Sequence, residues 1–355
     1  MPTKYLDSTN WASIQIKAAN IYVADTNVPC VYLFNLGTPS LVSGLDIVVT
    51  TVGGILVPRT ISAIGDGTYV IYFRDPAQDP STGGTQLYVQ WGGESVNVAN
   101  DVTVWSSNYG GSAAHDLVLH CEETSADLTD ESGNYSPTDE NLTYNQTGAI
   151  VKAPSFNGTT SRSDVKYVPV VNPTNTFTLV AFINPTAANQ TKDFWGAKNQ
   201  GVLYFQIRTF SEDVDIFVRN SASTNFTSRT SGNNITTGYQ LITIAKRADG
   251  KFYVYRNDTE LAYALQPAFT GASPVFPTFY FGGGNGGFWD GLMDEGRIID
   301  TDLSTNQVKG LSDNLNGFAT NASLTIGSVT SFSVELEKSS VIAGGAGCTS
   351  PMARF

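Results

Sequence analysis

Short apolar runs alternate along this chain with clusters of Gly, Asn, Ser and Thr, and no long stretch keeps the 3.6-residue apolar period of an amphipathic helix. The turn-forming clusters recur roughly every eight to twelve residues, the spacing of short strands in an all-β protein. In the first third, strands are predicted at 31–34, 45–50, 69–73 and 86–91, each rich in β-branched and aromatic residues. Residues 49–57 read as a hairpin, because Gly53 and Gly54 can supply the positive φ of a tight primed turn. Farther on, Leu117, Leu119 and Cys121 alternate with Val118, His120 and Glu122, as an opening strand should. Strands follow at 176–183, 239–246 and 251–256, and another ends at Asp300. Between them, Val214, Ile216 and Val218 are expected to face inward while Asp213 and Asp215 face outward. Helix is confined to connectors, chiefly a short turn opening at Ser304, where Ser304 and Gln307 have capping-box spacing.

At 355 residues the chain can fold two domains, each with its own core. The pattern breaks at 106–114, a small and polar run around a Gly pair that reads as a flexible linker. An N-terminal β-sandwich is therefore expected at 1–105 and a second sandwich at 115–318. A C-terminal extension, 319–355, has strand character at 323–336 and then a Gly-rich stretch too small to pack alone. Such a tail is expected to be held by a neighbouring chain, as an assembly contact.

The order of motifs in the second region carries a resemblance. Asp127-Leu128-Thr129-Asp130-Glu131-Ser132-Gly133-Asn134 is similar to an Asp-x-Ser-Gly-Asn turn after a first strand, and Ser155-Phe156-Asn157-Gly158 to a Ser-Phe-Asp-Gly strand end. Residues 176–183 stand where a Phe-Thr core strand belongs, with Phe182 in place of its Trp. Asp294-Glu295-Gly296-Arg297-Ile298 is similar to Asp-Glu-Val-Arg-Ile in a closing strand, with Gly296 for the Val. Together these resemble laminin-G-like, concanavalin A-like jelly rolls. The resemblance implies a fold that binds or builds more often than it catalyses, with Asp294 tying a turn and Arg297 pairing nearby. Gly296 should weaken the closing strand and admit a bulge. The first region, ending in Tyr88 and Trp91-Gly92, resembles a small β-sandwich domain found before laminin-G-like modules in bacterial and phage surface proteins.

The net charge of -12 argues against nucleic acid, which needs a basic groove, and no run has the length of a membrane span. Three cysteines, Cys30, Cys121 and Cys348, share no metal-ligand spacing and read as reduced thiols. Only two histidines occur, which disfavours a His-rich zinc site. Acidic residues crowd 116–140, and hard oxygen ligands on a Gly-containing turn suit Ca2+, so Asp127, Asp130 and Asn134 are the candidate metal ligands. Solubility is the plainer reading of the same charge.

Catalysis has a weak footing. A laminarinase-type site needs Glu-x-Asp-x-(x)-Glu on one strand, and Glu212-Asp213-Val214-Asp215 lacks the second glutamate. Asp294 and Glu295 are neighbours on a strand, expected to point to opposite faces. No catalytic residue is therefore assigned. Glycan binding would need aromatic rings beside polar groups, for which Trp195, Tyr239, Asn285 and Trp289 are the candidates, although packed core is the commoner fate of such rings. The expected setting is a bacteriophage virion: a head or tail decoration, spike or fibre protein, oligomeric and anchored to other virion proteins through its termini, with a host-surface glycan as further partner. A secreted or cell-surface lectin-like protein is the alternative, and a glycoside hydrolase the next.

Overall fold

The computed structural model describes residues 10–317 apart from 15–22, 36–45, 66–67, 92–97, 107, 110–113, 167, 200–202, 220–223, 271–275, 277 and 285–286. The extension at 319–355, Cys348 and Asn285 therefore lie outside the described residues.

Two small sheets form the first module. Asn10–Ile14, Leu87–Trp91, Val48–Thr51 and Leu56–Val57 make one, and Asp25–Asn35, Thr68–Asp79 and Arg59–Gly65 make the other, with Gly83–Gly84 on its edge. Their facing sides enclose Ile14, Tyr32, Val49, Ile71, Phe73 and Val89. The 51–54 turn closes with the Gly54 amide donating to the Thr51 carbonyl at 2.9 Å, and Gly54 has φ 78. Gly53 is not in the left-handed region, so one glycine, rather than the expected pair, supplies the positive φ.

Two eight-stranded antiparallel sheets form the second module. One runs Thr138–Glu140, Arg162–Lys166, Thr278–Phe281, Asp193–Asn199, Leu203–Phe210, Asp213–Arg219, Asn225–Thr230, Tyr263–Leu265. The other centres on Asp290–Ile299, Phe177–Pro185 and Gln240–Lys246, with His115–Leu119 also paired to Asp290–Ile299. Their inner faces meet in an aromatic-rich core that includes Trp195, Phe205, Ile216, Phe279, Phe281 and Trp289.

The central sheet is covered on both sides, which is why its strands read as nearly unbroken apolar runs. In Phe177–Pro185, Leu179, Ala181 and Ile183 enter the jelly-roll core, while Val180 and Phe182 enter a second cluster on the opposite face. That second cluster joins the modules. It takes Val31, Val70 and Tyr72 from the first, and Val118, Val180, Phe182 and Leu241 from the second. Trp105 and Tyr109 of the connecting segment fill the space between. Asn108, fully buried, donates to the Asn27 and Val104 carbonyls at 2.9 and 3.0 Å. The described part of 106–114 is thus packed into an interface and does not behave as the free tether expected from its composition.

After the closing strand, the helix Thr305–Gly317 is 13 residues long, well beyond the short turn expected. Its capping box forms as the spacing predicts: the Ser304 amide donates to Gln307 Oε1 at 2.9 Å and the Gln307 amide to Ser304 Oγ at 3.3 Å. Val308, Leu311 and Leu315 then face the inter-module cluster. Asn314 Oδ1 accepts from the Val31 amide at 3.0 Å, and Gln307 Nε2 donates to Asp25 Oδ2 at 2.7 Å. The helix fastens the end of the jelly roll to the first module.

Candidate functional site

The closing strand carries the chemistry of the junction. Asp294 pairs with Phe182 and Arg297 with Val180, so Glu295 and Gly296 together oppose Ala181 alone. This is the bulge that Gly296 was expected to admit. A side chain at 296 would meet the Phe281 ring at 2.8 Å, and Glu295 adopts φ 51, uncommon for a residue with a Cβ. The consequence differs from the expectation of opposed faces: the bulge turns Asp294, Glu295 and Arg297 toward the junction together.

Glu295 is fully buried there and anchors a network across the modules. Arg297 Nε and Nη2 donate to its Oε2 at 2.9 and 2.5 Å, and Tyr72 Oη of the first module donates to Oε1 at 2.8 Å. His120 Nδ1 lies 2.8 Å from the same Oε1, and because an ionised carboxylate can only accept, that nitrogen carries a proton. Burial alone would push the Glu295 carboxyl up, but Arg297 and then His120 more than reverse this and hold it down at about 2. Burial pulls His120 down, and the Glu295 charge and hydrogen bond outweigh it, so the imidazole ends above its ordinary value. Tyr72 stacks on the His120 ring with centroids 3.7 Å apart, and Arg297 lies 5.3 Å over Trp105. Asp294, desolvated beside the Glu295 charge, is driven well up; its Oδ2 accepts from the Ile150 amide at 2.9 Å, the turn-tying role that the resemblance implied.

Beside this network, Glu122, Glu123 and Glu131 gather with His120 and Lys152 around a cavity of about 300 Å³, closed on one side by Ser62 of the first module. The glutamates belong to the acidic span at 116–140 that the sequence marked, and docking of the first module adds Ser62 to them.

The outer face of the other eight-stranded sheet holds a second polar constellation. Val214, Ile216 and Val218 point into the core, as alternation requires, and Asp215 points out. Yet Asp215 is fully buried, because Arg208 and Arg229 from the strands on either side close over it. Arg208 Nε and Nη2 reach Asp215 Oδ2 at 3.1 and 2.8 Å, and Arg229 Nε and Nη2 reach Oδ1 and Oδ2 at 3.2 Å each. Both guanidinium groups lie over the half-buried Phe210 ring, at 5.5 and 4.1 Å. Near the other end of the sheet, Arg162 lies 4.7 Å over Tyr280 and 5.9 Å over Phe288. Asp213 accepts from Thr230 Oγ1 and Asn234 Nδ2 at 3.2 and 3.0 Å. The outward carboxylates of this strand therefore organise neighbouring side chains.

The candidate glycan residues do not assemble. Trp195 packs on Phe279 and Phe281, and Trp289 on Phe194 with its Nε1 donating to the Leu292 carbonyl at 3.2 Å; both are core rings with no face toward solvent. Tyr239 lies just before the strand Gln240–Lys246 of the other sheet, packed against the inter-module cluster, with its hydroxyl donating to the Thr147 carbonyl at 2.8 Å. Asn285 lies outside the described residues.

The candidate calcium ligands are also occupied. Asp130 is buried and accepts from the Val118, Ser132, Asn134 and Tyr135 amides and from Ser132 Oγ, all within 3.0 Å. Asn134 Nδ2 donates to the Asp116 carbonyl at 3.0 Å, and Asp127 Oδ1 accepts from the Asp139 amide at 3.2 Å. Five donors on one carboxylate make Asp130 the organiser of the turn. Among the described residues, no group of three or more His, Cys, Asp or Glu side chains is arranged to hold a metal ion.

A family-model match agrees with this architecture. Residues 157–309 match the model described as the concanavalin A-like lectin/glucanases superfamily. No curated protein matches the chain. Among solved structures, domain 4 of AbnA, a GH43 extracellular arabinanase from Geobacillus stearothermophilus in complex with arabinotriose, is 21% identical with a TM-score of 0.45, covering 56% of this chain and 98% of that one. The binding domain of botulinum neurotoxin DC in complex with rat synaptotagmin II is 15% identical with a TM-score of 0.46, covering 57% and 52%. The botulinum neurotoxin serotype D binding domain is 11% identical with a TM-score of 0.45, covering 56% and 51%, so the chain spans about half of each toxin domain. The two eight-stranded sheets, their shared core and the family match make the second module a concanavalin A-like jelly-roll domain.

Proposed function

We propose that this protein is a non-enzymatic surface component of a bacteriophage virion, a decoration, spike or fibre protein whose jelly roll recognises a carbohydrate. The superfamily description covers lectins and glucanases alike. The observation that carries the choice is the Arg208–Asp215–Arg229 bridge over Phe210. It presents two fixed guanidinium groups, 27% and 31% exposed, beside an aromatic ring, which suits hydrogen bonding to hydroxyls and stacking on a sugar face. Asp215, which stands in the incomplete glucanase-like run at 212–215, is sealed beneath them.

The virion setting is supported by the resemblance of the first module to domains of phage and bacterial surface proteins. Cys30 and Cys121 are also free and buried, which suits assembly in a reducing compartment. Docking into one body suits a protein that must hold its recognition face away from an anchor.

The test is a panel of bacterial surface polysaccharides offered to the full chain and to Arg229→Ala, with reducing-end release measured alongside binding. Saturable binding without release, weakened about tenfold or more in the variant, is expected. Sugar release abolished by Asp215→Asn would overturn the reading in favour of a glycosidase. Immunogold labelling of purified particles tests the setting.

A further inference from the structure

The clamp over Asp215 leaves cationic donors unused. Asp215 sets one negative charge against the two guanidinium groups of Arg208 and Arg229. Each arginine spends Nε and Nη2 on that carboxylate, and Nη1 of each has no partner among the described residues. Neither Nη1 is closed off from solvent. The nearby carboxylates are engaged elsewhere: Asp213 accepts from Thr230 Oγ1 and Asn234 Nδ2, and the buried Asp193 from Gln206 Nε2. Among the described residues, neither forms an ion pair with Arg208 or Arg229. Two bonds each to a buried carboxylate, with the Phe210 ring beside them, hold both guanidinium groups in place, so their free edges are offered with little further loss of freedom.

An apolar contact stands next to these donors. Leu265 is directly opposed to Arg229 across the last pair of strands in this sheet, and directly opposed residues share a face. It is 51% exposed and, among the described residues, is the only exposed large hydrophobic side chain of the second module. One exposed leucine by itself means little. Its position does: it lies one strand spacing, about 5 Å, from an arginine whose free edge calls for an acceptor oxygen. A sugar hydroxyl would satisfy such a donor but leave the second positive charge unmatched. A carboxylate satisfies both, because its two oxygens suit the planar guanidinium edge and its charge balances the clamp.

We propose that the ligand of this face is an acidic sugar carrying both a carboxylate and an acetamido group, with the carboxylate accepting from Nη1 of Arg208 and Arg229 and the acetamido methyl resting on Leu265. This presupposes that the jelly roll binds carbohydrate through the Asp215 clamp, and it names the chemical class of that carbohydrate. Arg208 and Arg229 supply the selection for charge, and Leu265 the selection for the methyl group.

Calorimetric titration of the full chain at pH 7.5 with the α-methyl glycoside of N-acetylneuraminic acid, with its carboxylate methyl ester and with methyl glucuronide tests it. The free acid is expected to bind saturably and the uncharged ester at least about tenfold more weakly. Methyl glucuronide, which keeps the charge but lacks the acetamido group, should bind about threefold more weakly than the free acid, and Leu265→Ser should erase that difference. Arg208→Gln and Arg229→Gln, shown to be folded by their melting curves, should each weaken the free acid by about tenfold or more. Absence of binding by both acids, equal affinity for acid and ester, or undiminished binding by both folded arginine variants would each overturn the proposal. Binding of neutral polysaccharides that is lost in Arg229→Ala, with no preference for the acid, would overturn this assignment and leave the carbohydrate-binding role standing; no binding to any polysaccharide would overturn both.

Discussion

Replacing Glu295 by Gln isolates the charge at the centre of the junction. The amide keeps the size and an acceptor oxygen, but leaves Arg297, 2% exposed, without its counter-ion and removes the charge that holds His120 protonated. The gap between about 2 and the ordinary 4.5 for the Glu295 carboxyl corresponds to about 3 kcal/mol, at roughly 1.4 kcal/mol per pH unit. Breaking a buried pair on one side independently suggests about 3–5 kcal/mol. The folded carboxyl is depressed, so its contribution is complete above about pH 4.5 and is lost as the pH falls through about 2. Urea unfolding followed by tryptophan fluorescence, with Trp105 lying over Arg297 as one reporter, measures the difference between pH 2 and 8. The variant should be about 3–5 kcal/mol less stable at pH 7 and should converge on the parent at the acid end. A companion, Glu295→Leu with Arg297→Met, should recover most of the loss, since an apolar pair needs no desolvation of charge. A Gln variant within about 1 kcal/mol of the parent at pH 7, or a gap undiminished at pH 2, would refute the reasoning.

Tyr72→Phe removes a single hydrogen bond to a charged group across the modules and should cost about 1.5–3 kcal/mol, with calorimetry showing the two modules beginning to melt separately. Thermal stability should peak near pH ~5 and decline toward pH 8. Burial raises Asp75 and Asp193 to about 6 and Glu122 to about 7, and His120 is also raised. Groups raised in the folded state contribute fully below their unfolded values and lose that contribution as the pH rises through the folded ones. Differential scanning across pH 4–8 checks this, and a maximum near pH 8 would contradict it.

The alternation that predicted strands was sound wherever one side of a strand faces the jelly-roll core. Val214, Ile216 and Val218 point in and Asp215 out, as period-two spacing demands. The capping box at Ser304 and Gln307 was equally legible, since it depends on residues three apart. Aromatic residues beside turn glycines were ambiguous, and Trp195 and Trp289 went to the core because a ring of that size gains most by full burial.

The sequence by itself determined the all-β class, the motif order of the jelly roll, the bulge-permitting glycine at 296 and the start of the terminal helix, because these are local: period, turn chemistry and capping act over a few residues. Only the tertiary structure decided what the outer face of the central sheet meets. Val118, Val180 and Phe182 look like any strand hydrophobes, yet they belong to the junction with Val70 and Tyr72. The meeting of Tyr72 with Glu295, 223 residues apart, and of Ser62 with Glu122 around one cavity follows from docking two surfaces. Burial there converts ordinary surface residue types into a desolvated charge network, and no spacing along the chain encodes that change of environment.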